Sequence, residues 1–292
     1  MTVVANSIAP IPPDSPAAAE ENGFLAGRLR EYADLLEEQV ANPFRVRAYR
    51  HAAETVARLE TPAARILAEH GRQGLDDLPG IGPRIAAALA EMILTGRWAQ
   101  LDRLRGHAEP EALFRTVPGI GPTLARRLSE DLHLSSLEAL ELAAHDGRLA
   151  RAGGWGPRRV AMVQAALSER LGRPRRRRLQ DAARRPPVDI LLDVDREFRE
   201  KAAAGQLRRV APRRFNPTGE AWLPVLHAER GAWRFTALNS NTALAHRLGR
   251  TRDWVVIYYE ADAVPEGQCT VVTETQGAMA GRRVVRGRES EA

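Results

Sequence analysis

The sequence contains one cysteine, Cys269, and one lysine, Lys201, among its 292 residues. A single cysteine excludes an internal disulfide and a zinc site built from several cysteine ligands, and it agrees with a reducing, intracellular location. All the other basic residues are arginines, which stay protonated at neutral pH and are therefore poor nucleophiles. Covalent chemistry through a lysine amine is thus excluded before residue 201.

Long apolar runs are also missing. No segment approaches the roughly 20 residues of a membrane-spanning helix. The first residues lack the basic start and the continuous apolar core of a secretion signal, so we expect a cytoplasmic protein. Residues 1–22 have too little periodic apolar content to pack against anything, and we expect them to form a disordered tail.

What the chain does have is an excess of positive charge. It carries 43 basic and 37 acidic residues, which gives a formal charge of +6, and the sequence pI is about 10.3. Hydrophobic residues make up 44% of the sequence, enough for ordinary cores, and the length allows two domains. The charge favours a polyanionic partner such as nucleic acid, although basic composition alone does not identify one.

A repeated motif organises the first half of the chain. Leu78–Ala86 reads Leu-Pro-Gly-Ile-Gly-Pro-Arg-Ile-Ala, and Val117–Ala125 reads Val-Pro-Gly-Ile-Gly-Pro-Thr-Leu-Ala. A weaker third copy, Gly154–Val160, reads Gly-Trp-Gly-Pro-Arg-Arg-Val. The glycines permit backbone conformations that are closed to other residues, and the proline suits the first turn of a helix. Each copy therefore predicts a helix-hairpin-helix motif, in which a tight turn opens a helix.

Turns of this kind are suited to contact with phosphate. A helix start exposes unpaired backbone N–H groups and the positive end of the helix dipole, and glycine has no side chain to keep a phosphate away. Such a contact binds the nucleic-acid backbone without reading the bases. The candidate DNA-binding residues of the three hairpins are Gly80, Ile81, Gly82, Arg84, Gly119, Ile120, Gly121, Arg126, Arg127, Gly154, Gly156 and Arg158.

The two halves of the chain differ in their hydrophobic patterns. Residues 23–172 have apolar positions at three- and four-residue steps, which predicts helices throughout. Beyond residue 188, one amphipathic helix over Val188–Ala204 precedes several strand-like runs. These runs are Trp222–Leu226, Trp233–Leu238, Trp254–Tyr259, Cys269–Thr273 and a final edge strand over Arg282–Arg286. The predicted fold class is α+β, with an all-helical amino-terminal half and a small α+β domain containing an antiparallel sheet.

The predicted domain organisation follows these changes of pattern. A helical domain with the first hairpin spans 23–106, and a second helical domain with two hairpins spans 107–172. An arginine- and proline-rich linker over 173–187 then leads to the α+β domain, 188–292. The linker is either a solvated hinge or an additional phosphate contact, and its composition favours neither.

Residues 23–172 resemble the amino-terminal region of the family X DNA polymerases, the DNA polymerase beta type. The resemblance is carried by Asn42–Arg50 (Asn-Pro-Phe-Arg-Val-Arg-Ala-Tyr-Arg), by Thr95-Gly96 and by the first two hairpin motifs, in the order and spacing of that family. It implies a lyase-like domain followed by a second helix-hairpin-helix domain. It also implies that the hairpins hold the DNA backbone at a gap or nick, with a monovalent cation on the loop carbonyls in some members.

The resemblance adds four residues to the predicted DNA interface: Arg45, Arg47, Tyr49 and Arg50. By matching position, Arg45 and Arg84 would face a 5′-phosphate, and Tyr49 would face the sugar or a neighbouring base. The family's lyase forms a Schiff base through a lysine on the helix after the first hairpin, and Ala88 occupies that position here. We therefore expect the lyase fold without the lyase chemistry.

The polymerase part of the family is not apparent. Its Gly-Ser pair occurs nowhere in this sequence, although Asp193-Val194-Asp195 imitates its pair of aspartates. Two carboxylates at this spacing share a face on a strand and can bind Mg²⁺ there, whereas on a helix they point apart. The surrounding residues favour a surface helix.

The leading hypothesis is a non-enzymatic DNA-binding protein, linked to repair, that acts at gaps, nicks or ends. We expect no catalytic residue, no metal and no cofactor, apart from a monovalent cation at the hairpin loops. His227, His246 and Cys269 lack metal-ligand spacing and are expected to be structural. The alternatives are a metal-dependent nuclease or nucleotidyltransferase with its site in the carboxy-terminal domain, and a module that binds a protein partner.

Overall fold

The computed structural model describes residues 16–106, 110–171, 185–261, 264–275 and 277–291. Its amino-terminal half is helical, as predicted. The helices are α1 (Pro16–Glu38), α2 (Pro43–Ala57), α3 (Ala63–Asp76), α4 (Pro83–Thr95), α5 (Ala99–Leu104), α6 (Pro110–Phe114), α7 (Pro122–Glu130), α8 (Leu137–His145), α9 (Arg148–Arg151) and α10 (Pro157–Leu171). None of the helices in these ranges combines the length and the apolar character of a bilayer span.

Helix α1 begins inside the segment expected to be disordered, so the predicted limit of the tail at residue 22 is wrong. The reason is the side chain of Asn22. It donates to the backbone oxygens of Leu59 and Thr61, each at 3.1 Å, and accepts from the nitrogen of Ala63 at 2.9 Å. These bonds fasten the start of α1 to the connection between α2 and α3.

Local signals in the sequence set several helix boundaries. The Asn42 side chain accepts from the nitrogen of Phe44 at 2.9 Å and caps α2, whose first residue is Pro43. Gly96 adopts a left-handed φ of 68° and ends α4. Phe44 is 74% exposed because it lies in the first turn of α2, on the outer side.

Two hydrophobic cores hold the helical half together. The first takes its buried side chains from α1 to α5 and contains a cluster of Tyr32, Tyr49 and Trp98, with ring centroids 4.4–5.9 Å apart. The second takes them mainly from α6 to α10 and includes Phe114 and Leu128, both fully buried. The first two hairpin motifs each contribute a buried isoleucine, Ile81 to the first core and Ile120 to the second.

The carboxy-terminal half has the predicted α+β fold. Helix α11 (Val188–Ala203) precedes a six-stranded antiparallel sheet in which neighbouring strands follow chain order. The strands are β1 (Arg208–Val210), β2 (Leu223–Arg230), β3 (Trp233–Asn239), β4 (Val255–Ala261), β5 (Val264–Thr273) and β6 (Arg283–Val285), with helix α12 (Ala243–Arg247) between β3 and β4. The sequence did not predict β1. The cap of α12 is Thr242, whose side chain accepts from the nitrogen of Ala245.

The two faces of the sheet meet different neighbours. One face packs against α11 through apolar side chains such as Phe198, Phe235 and Ile257. The opposite face, which carries Thr236, Gln268 and other buried polar residues, meets the helical half. The contacts across this boundary are largely polar, so the two halves are joined by directional bonds more than by apolar packing.

Candidate nucleic-acid interface

The first two hairpins have the same turn. The nitrogen of Ile81 donates to the oxygen of Leu78 at 3.0 Å, and the nitrogen of Ile120 donates to the oxygen of Val117 at 3.1 Å. The third residue of each turn is a glycine with positive φ, 73° at Gly80 and 84° at Gly119. Proline second and glycine third is the preference of a type II turn. Both isoleucines are buried, so their side chains anchor the turns in the core.

The two glycines of each motif have different roles. A Cβ atom on Gly80 would lie 2.0 Å from Nδ1 of His51, and one on Gly119 would lie 2.0 Å from Cε of Met162. These glycines are required by the fold. Gly82 and Gly121, with φ of −96° and −85°, have ordinary backbone conformations and open space where a Cβ would stand. Their openness exposes the helix starts that follow them.

The second and third hairpins pack against each other reciprocally. The turn of the second, at Gly119, faces Met162 of α10. The turn of the third faces α7, since Nη1 of Arg127 donates to the oxygen of Gly153 at 3.0 Å and lies 3.2 Å from a Cβ built on Gly154. Met162 follows Pro157, the first residue of α10, by the same number of residues as Arg127 follows Pro122, the first residue of α7. The two hairpins therefore form a pair with approximate two-fold symmetry.

This pair presents two helix starts and several arginines. Gly121 and Gly156, which precede α7 and α10, are both exposed and have nothing within 4 Å of a Cβ. Arg126 and Arg158 are exposed, and no described residue pairs with them. Arg159 was missed by the sequence reasoning, and its Nη1 donates to the oxygen of Gly154 at 2.6 Å.

The cations near the first hairpin already have a carboxylate partner. Nη1 of Arg84 lies 3.1 Å from Oε1 of Glu260, and Nη2 of Arg45 lies 3.4 Å from the same oxygen. Arg45 also donates to the hydroxyl of Tyr32 at 2.7 Å, and its side chain is only 13% exposed. The residues expected to face a 5′-phosphate thus face the carboxy-terminal sheet.

Tyr49 cannot meet a base in this structure, so the expected contact is wrong. The residue is 4% exposed, and its ring centroid lies 4.6 Å from that of Tyr32 and 5.9 Å from that of Trp98. Burial raises the pKa of its hydroxyl to about 12, against the opposing effect of Arg45. Tyr49 is a core residue because it closes the gap between α1, α2 and α5.

The other two arginines of α2 lie at the surface. Nη2 of Arg50 lies 3.0 Å from a carboxylate oxygen of Asp34 and 2.6 Å from one of Glu37. The guanidinium of Arg47 stacks 4.5 Å from the centroid of the exposed Phe44 ring. Arg50 is therefore neutralised within the helical half, while Arg47 and Phe44 together form an exposed cation–aromatic pair.

The two aspartates, Asp193 and Asp195, bond to arginines in this structure. Both residues lie on α11, as the sequence favoured, and they bond to different arginines. Nε of Arg230 donates to Asp193 at 2.8 Å, and Nε of Arg283 donates to Asp195 at 3.0 Å. Asp195 is fully buried, so the expectation of a surface position was wrong for it. No group of three or more histidine, cysteine, aspartate or glutamate side chains in the described residues is arranged to hold a metal.

The histidines expected to be structural have protein partners. Nδ1 of His227 lies 3.1 Å from the hydroxyl of Thr236, and Nε2 lies 3.0 Å from Oε1 of Gln39. Burial, helped by Arg45 and Arg103, lowers the pKa of His227 to about 3. Nε2 of His246 lies 2.6 Å from Oδ1 of Asn241. Both imidazoles are therefore committed to the fold.

Comparison with known families agrees with the geometry of the hairpins. Residues 20–98, which include the first hairpin, match the family described as a helix-hairpin-helix domain. Residues 111–169, which include the other two, match the SAM-like helix-hairpin-helix tandem. The comparison with curated proteins gives no match. The amino-terminal half is thus a helix-hairpin-helix segment, and domains of this kind indicate DNA binding without sequence specificity.

Proposed function

We propose that this protein holds the DNA backbone at gaps, nicks or ends during DNA repair, in the manner implied by its resemblance to the non-palm half of family X DNA polymerases. The observation that supports the proposal best is the paired arrangement of the second and third hairpins. Gly121 and Gly156 leave two neighbouring helix starts open, and Arg126 and Arg158 stand beside them without an acidic partner in the described residues.

The chemistry of this surface suits phosphate oxygens. The first backbone N–H groups of α7 and α10 have no partner within their helices, and the positive end of each helix dipole lies at the same place. Arginines add charge and hydrogen-bond donors. Because such contacts involve phosphates alone, binding depends weakly on base sequence and falls steeply with salt.

The proposed preference for interrupted DNA depends on two separate contacts between the protein and the DNA. We propose that residues 23–106 and 107–172 act as two units, one with the first hairpin and one with the paired hairpins. Two units suit a duplex that bends at a gap or nick, because each can hold one side. The lyase reaction is not part of the proposal, since Ala88 stands in the core at 5% exposure and carries no amine.

The test replaces both open glycines by aspartate, in a Gly121→Asp and Gly156→Asp double variant. Aspartate and asparagine are both preferred at helix N-caps, so neither should harm folding. Aspartate repels phosphate at the helix start, whereas asparagine has the same size and no charge. We expect the aspartate variant to bind a gapped duplex at least about tenfold more weakly than the matched Gly121→Asn and Gly156→Asn variant at low salt.

Fluorescence anisotropy with labelled DNA measures both affinities across a salt titration. Equal affinities of the aspartate and asparagine variants would overturn the assignment of the hairpin pair as the DNA surface. A second arm compares gapped, nicked and covalently closed duplexes with the unaltered protein. Equal affinity for all three would reject the preference for interruptions while leaving backbone binding in place.

A further inference from the structure

A second basic site lies away from the open helix starts, in a cleft of about 310 Å³ between α9 and one end of the sheet. Three stretches that are distant in sequence supply its arginines. Helix α9 contributes two arginines, the segment before α11 one, and the chain after β6 two. These arginines are Arg148, Arg151, Arg185, Arg286 and Arg288.

The floor of the cleft is an edge of the sheet. Strand β6 pairs with β5 only over Val271–Thr273 of β5. The last hydrogen bond between these two segments runs from the nitrogen of Arg286 to the oxygen of Thr270. Gln268, Cys269 and Thr270 continue past that point and line the cleft. Polar side chains and strand backbone are thus both present at the base.

The charges in the cleft are not balanced. Asp146 bonds to Arg148 at 2.8 Å and to Arg185 at 2.5 Å, and Glu291 bonds to Arg288 at 2.6 Å. With Asp131 on the wall, three carboxylates meet five guanidinium groups. Within the described residues, the two arginines that lack a carboxylate partner are Arg151 and Arg286, which leaves a surplus of about two positive charges.

Other groups in the cleft do not remove this surplus. Burial raises the pKa of the Cys269 thiol to about 12, and also that of Tyr259 to about 12, so both are neutral at physiological pH. His133 on the wall is 6% exposed, and its Nδ1 has no hydrogen-bond partner in the described chain. Guanidinium groups held this close repel each other unless an anion lies among them.

We propose that this cleft binds a phosphate monoester, carried by the end of a DNA strand or by a mononucleotide. A phosphate monoester bears about −1.5 to −2 charges at neutral pH, which matches the surplus. The planar fork of arginine binds two phosphate oxygens at once. The volume lies at the lower end of the roughly 300–1,000 Å³ of small-molecule sites.

The position of the cleft connects it to the hairpins. Arg151 on its wall directly precedes Ala152 and the turn of the third hairpin at Gly153 and Gly154. A strand held at that hairpin passes Arg151 first, and its terminus can then enter the cleft. The assignment of a DNA terminus rests on the proposed function, whereas the phosphate chemistry of the cleft does not.

The experiment uses the full chain and one oligonucleotide sequence in three forms, with a 5′-phosphate, with a 3′-phosphate and without either. The cleft variant is Arg151→Gln with Arg286→Gln. The matched control is Arg209→Gln with Arg252→Gln, two exposed arginines outside the cleft that give the same change of charge. We expect one phosphorylated form to bind the unaltered protein at least about tenfold more tightly than the unphosphorylated form.

The cleft variant should lose that preference, and the control should keep it. Equal affinity of the three forms for the unaltered protein, or a preference that survives in the cleft variant, would overturn the assignment. Calorimetry with deoxyadenosine monophosphate distinguishes between the two possible carriers of the phosphate, a mononucleotide and the end of a DNA strand. Binding of the mononucleotide that the cleft variant loses would identify a nucleotide site, and binding of phosphorylated oligonucleotides alone would identify a strand-end site.

The two proposals also fail separately. If no oligonucleotide binds, the hairpin function is rejected, and the mononucleotide titration alone decides the cleft. Absence of binding in that titration as well would then overturn the cleft assignment. If the aspartate variant of Gly121 and Gly156 loses DNA while mononucleotide binding persists, the two sites are independent.

Discussion

Nη1 of Arg84 lies 3.1 Å from Oε1 of Glu260, a residue 176 positions further along the chain. The same carboxylate oxygen is 3.4 Å from Nη2 of Arg45 and 3.8 Å from Nε of Arg234. Glu260 is 5% exposed, so this cluster is enclosed between the first hairpin and the sheet. A DNA phosphate at Arg84 would compete with a protein carboxylate for the guanidinium group.

Replacing that carboxylate should strengthen DNA binding and weaken the fold. In Glu260→Gln the negative charge beside Arg84 is gone, and we expect affinity for gapped DNA to rise about threefold at low salt. Arg45 loses its buried counter-ion, so the free energy of unfolding should fall by about 3 kcal/mol.

Urea denaturation and anisotropy measure the two effects of Glu260→Gln. The matched control is Glu229→Gln. Glu229 bonds to Asn42 at 3.0 Å on the exposed side of the same boundary, so we expect a change of less than about 0.5 kcal/mol. Unchanged stability in Glu260→Gln would show that the cluster does not join the two halves.

The salt dependence of DNA binding should report single arginines of the hairpin pair. Arg126→Gln and Arg158→Gln should each lower the slope of log affinity against log salt by about 1, because each removes one phosphate contact. Arg127→Gln should weaken DNA binding more than either of these variants, because Arg127 also donates a hydrogen bond to the backbone of the third turn at Gly153. Arg209→Gln serves as the control, and an equal loss of slope there would contradict the assignment.

Replacing Asp195 should lower the stability of the fold. It is fully buried and bonds to Arg283 and Arg199, so Asp195→Asn removes a buried carboxylate that both guanidinium groups share and leaves Arg283 with Asp253 as its remaining acidic partner. We expect about 3–5 kcal/mol of lost stability in a chelator-containing buffer. The semi-exposed Asp193, in Asp193→Asn, should cost about 1 kcal/mol or less. If Mg²⁺ stabilised the unaltered protein and neither variant, a metal site at this pair would have to be reconsidered.

The pH dependence of stability should contain a contribution from His227. Its pKa is about 3 in the folded protein and about 6.5 in the unfolded chain, so only the unfolded chain gains a proton as pH falls between these values. Stability is therefore lost on acidification, by about 2 kcal/mol for this residue at pH 5. In His227→Gln the fall in unfolding free energy from pH 7 to pH 5 should shrink by that amount. Parallel falls in both proteins would contradict it.

The hairpins could be predicted because their determinants are local. A type II turn needs glycine at its third position, and the first turn of a helix accepts proline. Gly80 in the turn and Pro83 at the helix start therefore define the motif within a few residues. The pattern of apolar residues likewise indicated five of the six strands, β2 to β6. Strand β1 was missed because two of its three residues, Arg208 and Arg209, are exposed arginines, which leaves Val210 as its single apolar residue.

The surroundings of the site could not be predicted, since they depend on distant residues. Nothing near Arg45 in sequence indicates that Glu260 neutralises it, and nothing near Tyr49 indicates that Trp98 covers its ring. The arginine-lined cleft is equally hidden, because its arginines belong to three separate stretches. A hairpin motif therefore predicts a turn followed by a helix start, while the tertiary fold decides which copy remains open at the surface.

The reciprocal packing of Gly119 on Met162 and of Arg127 on Gly153 also fixes a distance. Because each turn forms the wall of the other, the starts of α7 and α10 cannot separate or approach independently. Two phosphates bound there must lie at one set spacing, which in duplex DNA varies with the width of the groove. The hairpin pair would then discriminate among DNA sites by groove width and would respond to sequence only through the shape that the sequence imposes.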